Sequence, residues 1–307
     1  MSLLVIGTAA LDSVRTPFGE REEVLGGSAV YFAVAASFFT PVRLVAAIGE
    51  DFPEAHLHLL AGRGIDLSGL RRLPGRTFRW RGEYGYDLNE AHTLDTQLNV
   101  LERFDAELTD AEAATPYVFL ANIDPVLQQR VRRRVRGTRM LAADTMNFWI
   151  ERQRPDLLAV LRDLDLLIIN DAEARMLANQ PSLPRAARDI LRLGPRALIV
   201  KRGEYGVALF GEGGPFAAPA LPLEEVADPT GAGDSFAGGL MGHLAACGRH
   251  DAATLRQAVI YGSVMASFNV EDFSLSRLLR LTRAEVDERF RHLTALMHFD
   301  PIEPARG

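Results

Sequence analysis

Short apolar runs alternate with longer amphipathic stretches along most of this chain. Leu3–Gly7, Val42–Ile48, Tyr117–Ala121, Arg139–Ala143, Leu166–Ile169 and Ala197–Val200 are too brief for helices and are largely apolar, without regular polar alternation. They predict strands buried on both faces. Ser28–Phe39 is small and apolar on most faces, as a buried helix would be, and Pro53–Arg63 has helical spacing. From about Ala232 onward the chain reads as largely helical. The alternation predicts an α/β fold with three layers, helices covering both faces of a mostly parallel sheet. Neither an internal repeat nor a linker divides it, so residues 1–307 are expected to form one domain.

One segment departs from this rhythm. Between Thr77 and Asp87, Phe78, Trp80, Tyr84 and Tyr86 share one parity, while Arg79, Arg81 and Glu83 share the other. Period-two alternation predicts a half-exposed antiparallel strand. With a partner after Arg15 it would build a small sheet from about residues 13–25 and 77–100. Its aromatic face would either close over a substrate as a lid or pack against the core or a second subunit, giving a homodimer through the lid.

Composition narrows the class. Of 307 residues, 48% are hydrophobic and 24% charged, which excludes disorder and a disulfide scaffold. The formal charge of −6 argues against a global grip on nucleic acid, and the arginines of 130–136 read as a solvated helix face. Cys247 is alone, so neither an internal bridge nor a zinc cluster can form around it. A reducing, cytoplasmic setting is expected. Leu3–Leu11 reads as a buried strand rather than a signal peptide, and no run reaches the roughly 18 apolar residues of a membrane span. Lys201 is the only lysine among 34 basic residues. Codon bias explains most of that; a site where a planar guanidinium fits poorly is the other explanation.

The chemistry concentrates in Asp228-Pro229-Thr230-Gly231-Ala232-Gly233-Asp234-Ser235-Phe236. Small residues at Gly231, Ala232 and Gly233 let backbone approach a ligand closely, and a helix predicted to start there would aim free N–H groups at one spot. The Asp234 carboxylate stands beside that spot. Anion-binding amides next to a carboxylate suit phosphoryl transfer, where catalysis is mainly positioning and charge stabilisation. A glycine-rich turn with Asp234 as a cap is the plainer alternative. Asp12, directly after a buried strand, lies where parallel sheets present ligand groups, although a turn aspartate would look the same. Asn170 and Glu173 suit Mg²⁺ but equally fit a capping box. Gly203 and Gly206 alone define no more than a β-turn. Asp144-Thr145-Met146-Asn147 follows a strand and lies within possible reach of the same edge.

Asp-x-Thr-Gly-Ala-Gly-Asp-Ser-Phe resembles the C-terminal signature of the ribokinase-like (PfkB) family of carbohydrate and nucleoside kinases, and the other pieces fall in that family's order. The resemblance implies a ribokinase-like fold with a β-sheet lid, and a kinase using ATP and Mg²⁺ on a hydroxyl of a small sugar or polyol. A nucleoside kinase and a catalytically silent sugar or nucleotide sensor are the competing implications. It further implies that Asp234 is the catalytic base and that Gly231, Ala232 and Gly233 form the anion hole. Asp12, Gly26, Gly27 and Ser28 would contact the acceptor, with Tyr31 standing where the family often has asparagine. Asn170, Lys201, Gly203 and Gly206 would line the ATP side, and Asn170 and Glu173 would hold Mg²⁺ through water. Asp228 and Thr230 would lie by the nucleotide at a K⁺ site.

Overall fold

In the computed structural model, residues 1–300 are described. The strands are β1 (Leu3–Ile6), β2 (Ala10–Thr16), β3 (Gly19–Gly26), β4 (Val42–Ile48), β5 (Leu70–Arg72), β6 (Phe78–Tyr84) and β7 (Ala91–Gln97). They continue with β8 (Tyr117–Leu120), β9 (Met140–Ala143), β10 (Leu166–Asn170), β11 (Ala197–Lys201), β12 (Val207–Gly211) and β13 (Phe216–Ala218). The helices of the first half are α1 (Ser28–Ala36), α2 (Glu54–Gly62), α3 (Asp110–Ala113), α4 (Pro125–Arg134), α5 (Asn147–Arg152) and α6 (Arg154–Leu161). Those of the second half are α7 (Asp171–Ala178), α8 (Leu183–Leu191), α9 (Ala232–Cys247), α10 (Ala252–Asn269), α11 (Ser276–Arg280) and α12 (Arg283–Leu296).

Nine strands form one sheet in the order β13-β12-β11-β10-β9-β8-β1-β4-β5. From β11 to β5 every pairing is parallel, and only β12 and β13 run against their neighbours. Successive residues of β1 show why the sheet is covered on both sides. Leu3 and Val5 enter one apolar core with α1, α9 and α10, while Leu4 and Ile6 enter a second with α4, α6, α7 and α8. Fully apolar strands are the sequence consequence of burial on two faces. No described helix is long and apolar enough to cross a membrane.

A second sheet has the order β3-β2-β6-β7, with β2 and β6 parallel and the outer pairs antiparallel. It draws on residues 10–26 and 78–97, so it starts earlier than the alternation predicts and includes Asp12 in β2. The expected aromatic row holds for Phe78, Trp80 and Tyr84 but not for Tyr86. The alternation of β6 is unbroken, since the register shift opposite Arg81 and Gly82 places the extra residue, Leu94, in β7; the strand ends at Tyr84, leaving Tyr86 in the following turn and 90% exposed. Tyr84 instead turns into the protein.

The topology gathers one set of residues. Asp144 directly follows β9, Asn170 ends β10 and Lys201 ends β11, with Asn170 and Lys201 in direct register. All three stand at the carboxyl edge of the parallel strands, where an open α/β sheet presents ligand groups. The N-terminus of α9 faces the same edge.

Candidate active site

Gly231 caps α9 in the left-handed conformation, with φ of 74°. A Cβ there would also drive into the ring of Tyr31, so backbone conformation and close packing both require glycine. The amides of the first turn are unequal. Ala232 N–H already donates to the Pro229 carbonyl (3.1 Å), whereas those of Gly233 and Asp234 meet no protein acceptor among the described residues. The unpaired amides of this turn are therefore those of Gly233 and Asp234, whereas that of Ala232 is occupied. Unpaired amides and the positive end of a 16-residue helix together favour an anion at this point.

Asp234 lies in that first turn, and burial pushes its carboxyl up to about 7 from 3.8. The Lys201 ammonium pulls in the opposite direction, and the Glu173 charge adds to the rise. Asp12 is 5% exposed and is likewise raised to about 7, chiefly by burial; the Gly27 amide opposes the rise, while Asp228 and Asp234 contribute to it. The two carboxyls therefore share one electrostatic neighbourhood. Groups poised near neutrality suit proton transfer at physiological pH.

The double glycine makes room for Asp12. A side chain at Gly26 would overlap the Asp12 carboxylate, and Gly27 N–H donates to Asp12 Oδ2 at 3.3 Å. Gly27 has φ of 99° and caps α1. The Ser28 hydroxyl is spent on structure, pairing with Thr8 Oγ1 (3.1 Å) and lying 3.3 Å from the Asn122 carbonyl. Tyr31 is 1% exposed, with its ring against Gly231 and its hydroxyl without a partner. Its ring supports the Gly231 turn from below and is buried there.

Asn170 and Glu173 form a full capping box at α7. Glu173 N–H donates to Asn170 Oδ1, and Asn170 N–H donates to Glu173 Oε2, both at 2.8 Å. This leaves Glu173 Oε1 free, and burial raises the Glu173 carboxyl. Asp228 holds two amides: Thr230 N–H on Oδ1 (2.9 Å) and Ser274 N–H on Oδ2 (3.1 Å). Asn269 continues the brace, donating to the Thr230 carbonyl (2.7 Å) and accepting from Ser235 Oγ (3.0 Å). Gly206 (φ 87°) closes the turn after β11, and Asn89 of the smaller sheet's β6–β7 connection lies against Gly203.

Three further neighbours stand here: Asp144 and Tyr84, which the sequence places at the sheet edge and in the lid, and Trp149, which it does not single out. Asp144 is 5% exposed, its Oδ1 has no partner, and burial holds its carboxyl well above the usual range. Its position after an apolar strand was the available signal. Trp149 Nε1 donates to Asn122 Oδ1 (2.8 Å), and the Phe148 and Trp149 rings meet edge-on at 4.9 Å, so an aromatic pair stands near Ser28. Tyr84 Oη lies 3.3 Å from Thr230 Oγ1, closing the smaller sheet onto the glycine run.

The model of the pfkB family carbohydrate kinases matches residues 5–280. The chain belongs to the PfkB family. A cytidine kinase of Thermococcus kodakarensis is 31% identical over 249 residues, covering 78% of this chain and 87% of that protein. Among solved structures, the nucleoside kinase of Burkholderia thailandensis in complex with inosine superposes with a TM-score of 0.75 at 21% identity, covering 95% and 99% of the two chains. An E. coli ribokinase II bound to ATP and Mg²⁺ gives 0.76 at 19% identity, with coverage of 95% and 99%. The PfkB chain described here therefore has the ribokinase-like fold and is a kinase of that family.

Proposed function

We propose that this PfkB kinase transfers the γ-phosphoryl group of ATP to a hydroxyl of a nucleoside. The observation that carries the reading is the buried Asp234 carboxyl set beside the unpaired amides of Gly233 and Asp234. In the proposed reaction the acceptor oxygen bonds to the γ-phosphorus as the bond to the departing ADP oxygen breaks. Asp234 takes the hydroxyl proton, and the helix amides hold the phosphoryl oxygens in transit. Asp12, held by Gly27 N–H, accepts from the acceptor's hydroxyls. The turn from Lys201 through Gly206 lines the nucleotide side.

Mg²⁺ fits the donor set at Asn170 and Glu173, whose free oxygen suits a water-mediated contact. No three acidic, histidine or cysteine side chains among the described residues converge to cage a metal. When bound it neutralises charge on the ATP phosphates. Asp228 accepts one amide on each oxygen, which fixes its loop and leaves a lone pair on each for the monovalent cation expected there.

The aromatic pair Phe148–Trp149 near the acceptor end and the cytidine kinase relative favour a nucleoside over the sugar or polyol expected from sequence. A panel of nucleosides, sugars and polyols with labelled ATP tests this. Labelled nucleoside monophosphate is the expected product. Turnover of sugars or polyols alone would transfer the assignment to carbohydrates, and thermal stabilisation without ADP release would favour a sensor.

A further inference from the structure

The chain's one lysine occupies a constrained place. Lys201 ends β11 beside Asn170, and its side chain runs over the first turn of α9. Its Nζ lies 2.6 Å from where a Cβ on Gly233 would stand, so glycine at 233 is what admits the ammonium. Three carboxylates sense its charge: Asp144, Glu173 and Asp234. None lies within 4.0 Å of it among the described residues, so the cation is attracted by all three and fixed by none.

Asp144 is the informative member. A buried carboxylate with a bare oxygen is costly unless a charge offsets it. Here Asp144 Oδ1 is unpartnered, burial holds its carboxyl above the ordinary carboxylate range, and the Lys201 ammonium opposes that rise without cancelling it. The arrangement leaves an ammonium beside the unpaired amides of Gly233 and Asp234, the spot prepared for an anion. Lysine suits this task as a compact charge with three rotatable donors, whereas arginine brings a planar fork. The tight fit over Gly233 gives a physical reason for lysine in a chain that otherwise uses arginine.

Resting on the kinase reading above, we propose that Lys201 is a further catalytic residue that contacts the migrating phosphoryl oxygens, and that Asp144 is its positioning residue. Lys201 neither gains nor loses a proton. The hydroxyl proton still goes to Asp234, the new bond joins acceptor oxygen to phosphorus, and ADP departs. The ammonium offsets the negative charge as it passes between the two oxygens.

A single lysine permits a direct test. Reductive methylation with ¹³C-formaldehyde keeps the charge and labels Lys201, and the Lys201→Arg variant assigns its NMR signal by removing it. The signal is expected to move when the Mg²⁺ complex of a non-hydrolysable ATP analogue binds, and to move less with ADP. An unmoved signal with nucleotide bound, as shown by thermal stabilisation, overturns the proposal. This arm needs no acceptor, so it stands or falls separately from the nucleoside assignment. With an active acceptor, Lys201→Met and Lys201→Arg should each lower kcat about 10²-fold or more while KM for ATP changes less than about threefold. Asp144→Asn should lower kcat, leave KM and move the unliganded methyl-lysine signal. Full kcat in Lys201→Arg, or an unmoved signal in folded Asp144→Asn, contradicts the assigned roles.

Discussion

Tyr84 and Thr230 meet hydroxyl to hydroxyl at 3.3 Å across 146 residues of sequence, joining the smaller sheet to the turn that begins α9. Thr230 is held in turn by the Asp228 carboxylate and Asn269, so a contact made on β6 reaches the unpaired amides through one hydrogen-bonded loop. The smaller sheet is thereby joined to the turn that carries the unpaired amides. Tyr84→Phe removes only that bond, worth about 0.5–1.5 kcal/mol. The expected result is an acceptor KM raised about two- to tenfold with little change in melting temperature. An unchanged KM would uncouple the two.

Gly231→Ala should be more damaging than its size suggests. Its positive φ and the Tyr31 ring both oppose a methyl group, so a loss of about 1–3 kcal/mol in unfolding free energy is expected. Denaturant unfolding measures it. A neutral outcome would mean that the turn relaxes easily and that Tyr31 does not brace it.

Asp12 is kept at a cost to stability. Its carboxyl rises from 3.8 to about 7 on folding, so the folded state binds the proton more tightly than the unfolded chain. The associated stability is fully present below about 3.8 and is lost as pH rises through about 7. Ionising it at pH 8 costs about 4 kcal/mol. Asp12→Asn should therefore raise the melting temperature at pH 8, leave it nearly unchanged at pH 4, and impair acceptor binding. Stability that is equal to wild type at pH 8 would show that the charge is not buried at a cost.

The acid limb of turnover should follow Asp234. With its carboxyl near 7 in the free protein, kcat/KM should fall about tenfold per pH unit below that point. A rate constant flat down to pH 5 would remove Asp234 as the proton acceptor.

Much of this was legible in the chain because it is local. Apolar strands announce a sheet covered on both faces, and Asp228 to Phe236 carries its glycine spacing and carboxylate in one stretch. What was not legible depends on contacts between distant segments. The parity of Phe78 to Tyr86 does not show where the strand stops: β6 ends at Tyr84, which reaches Thr230, and leaves Tyr86 exposed in the turn. The occupation of the Ala232 amide depends on Pro229, and Tyr31 reads as a pocket residue until Gly231 is seen to cover its ring. Asp144 needed the strand order, since only the adjacency of β9, β10 and β11 brings it to the charge of Lys201.

The decisive measurement is phosphoryl transfer from ATP to the best acceptor by Asp234→Asn, followed by ADP release and by the ³¹P signal of the product, with nucleotide affinity measured on the same sample. Turnover should drop by about 10²–10⁴-fold while ATP binding changes little. A variant that keeps turnover within about threefold of wild type would show that the proton leaves by another route and that the buried acid beside the helix amides is not the reacting centre.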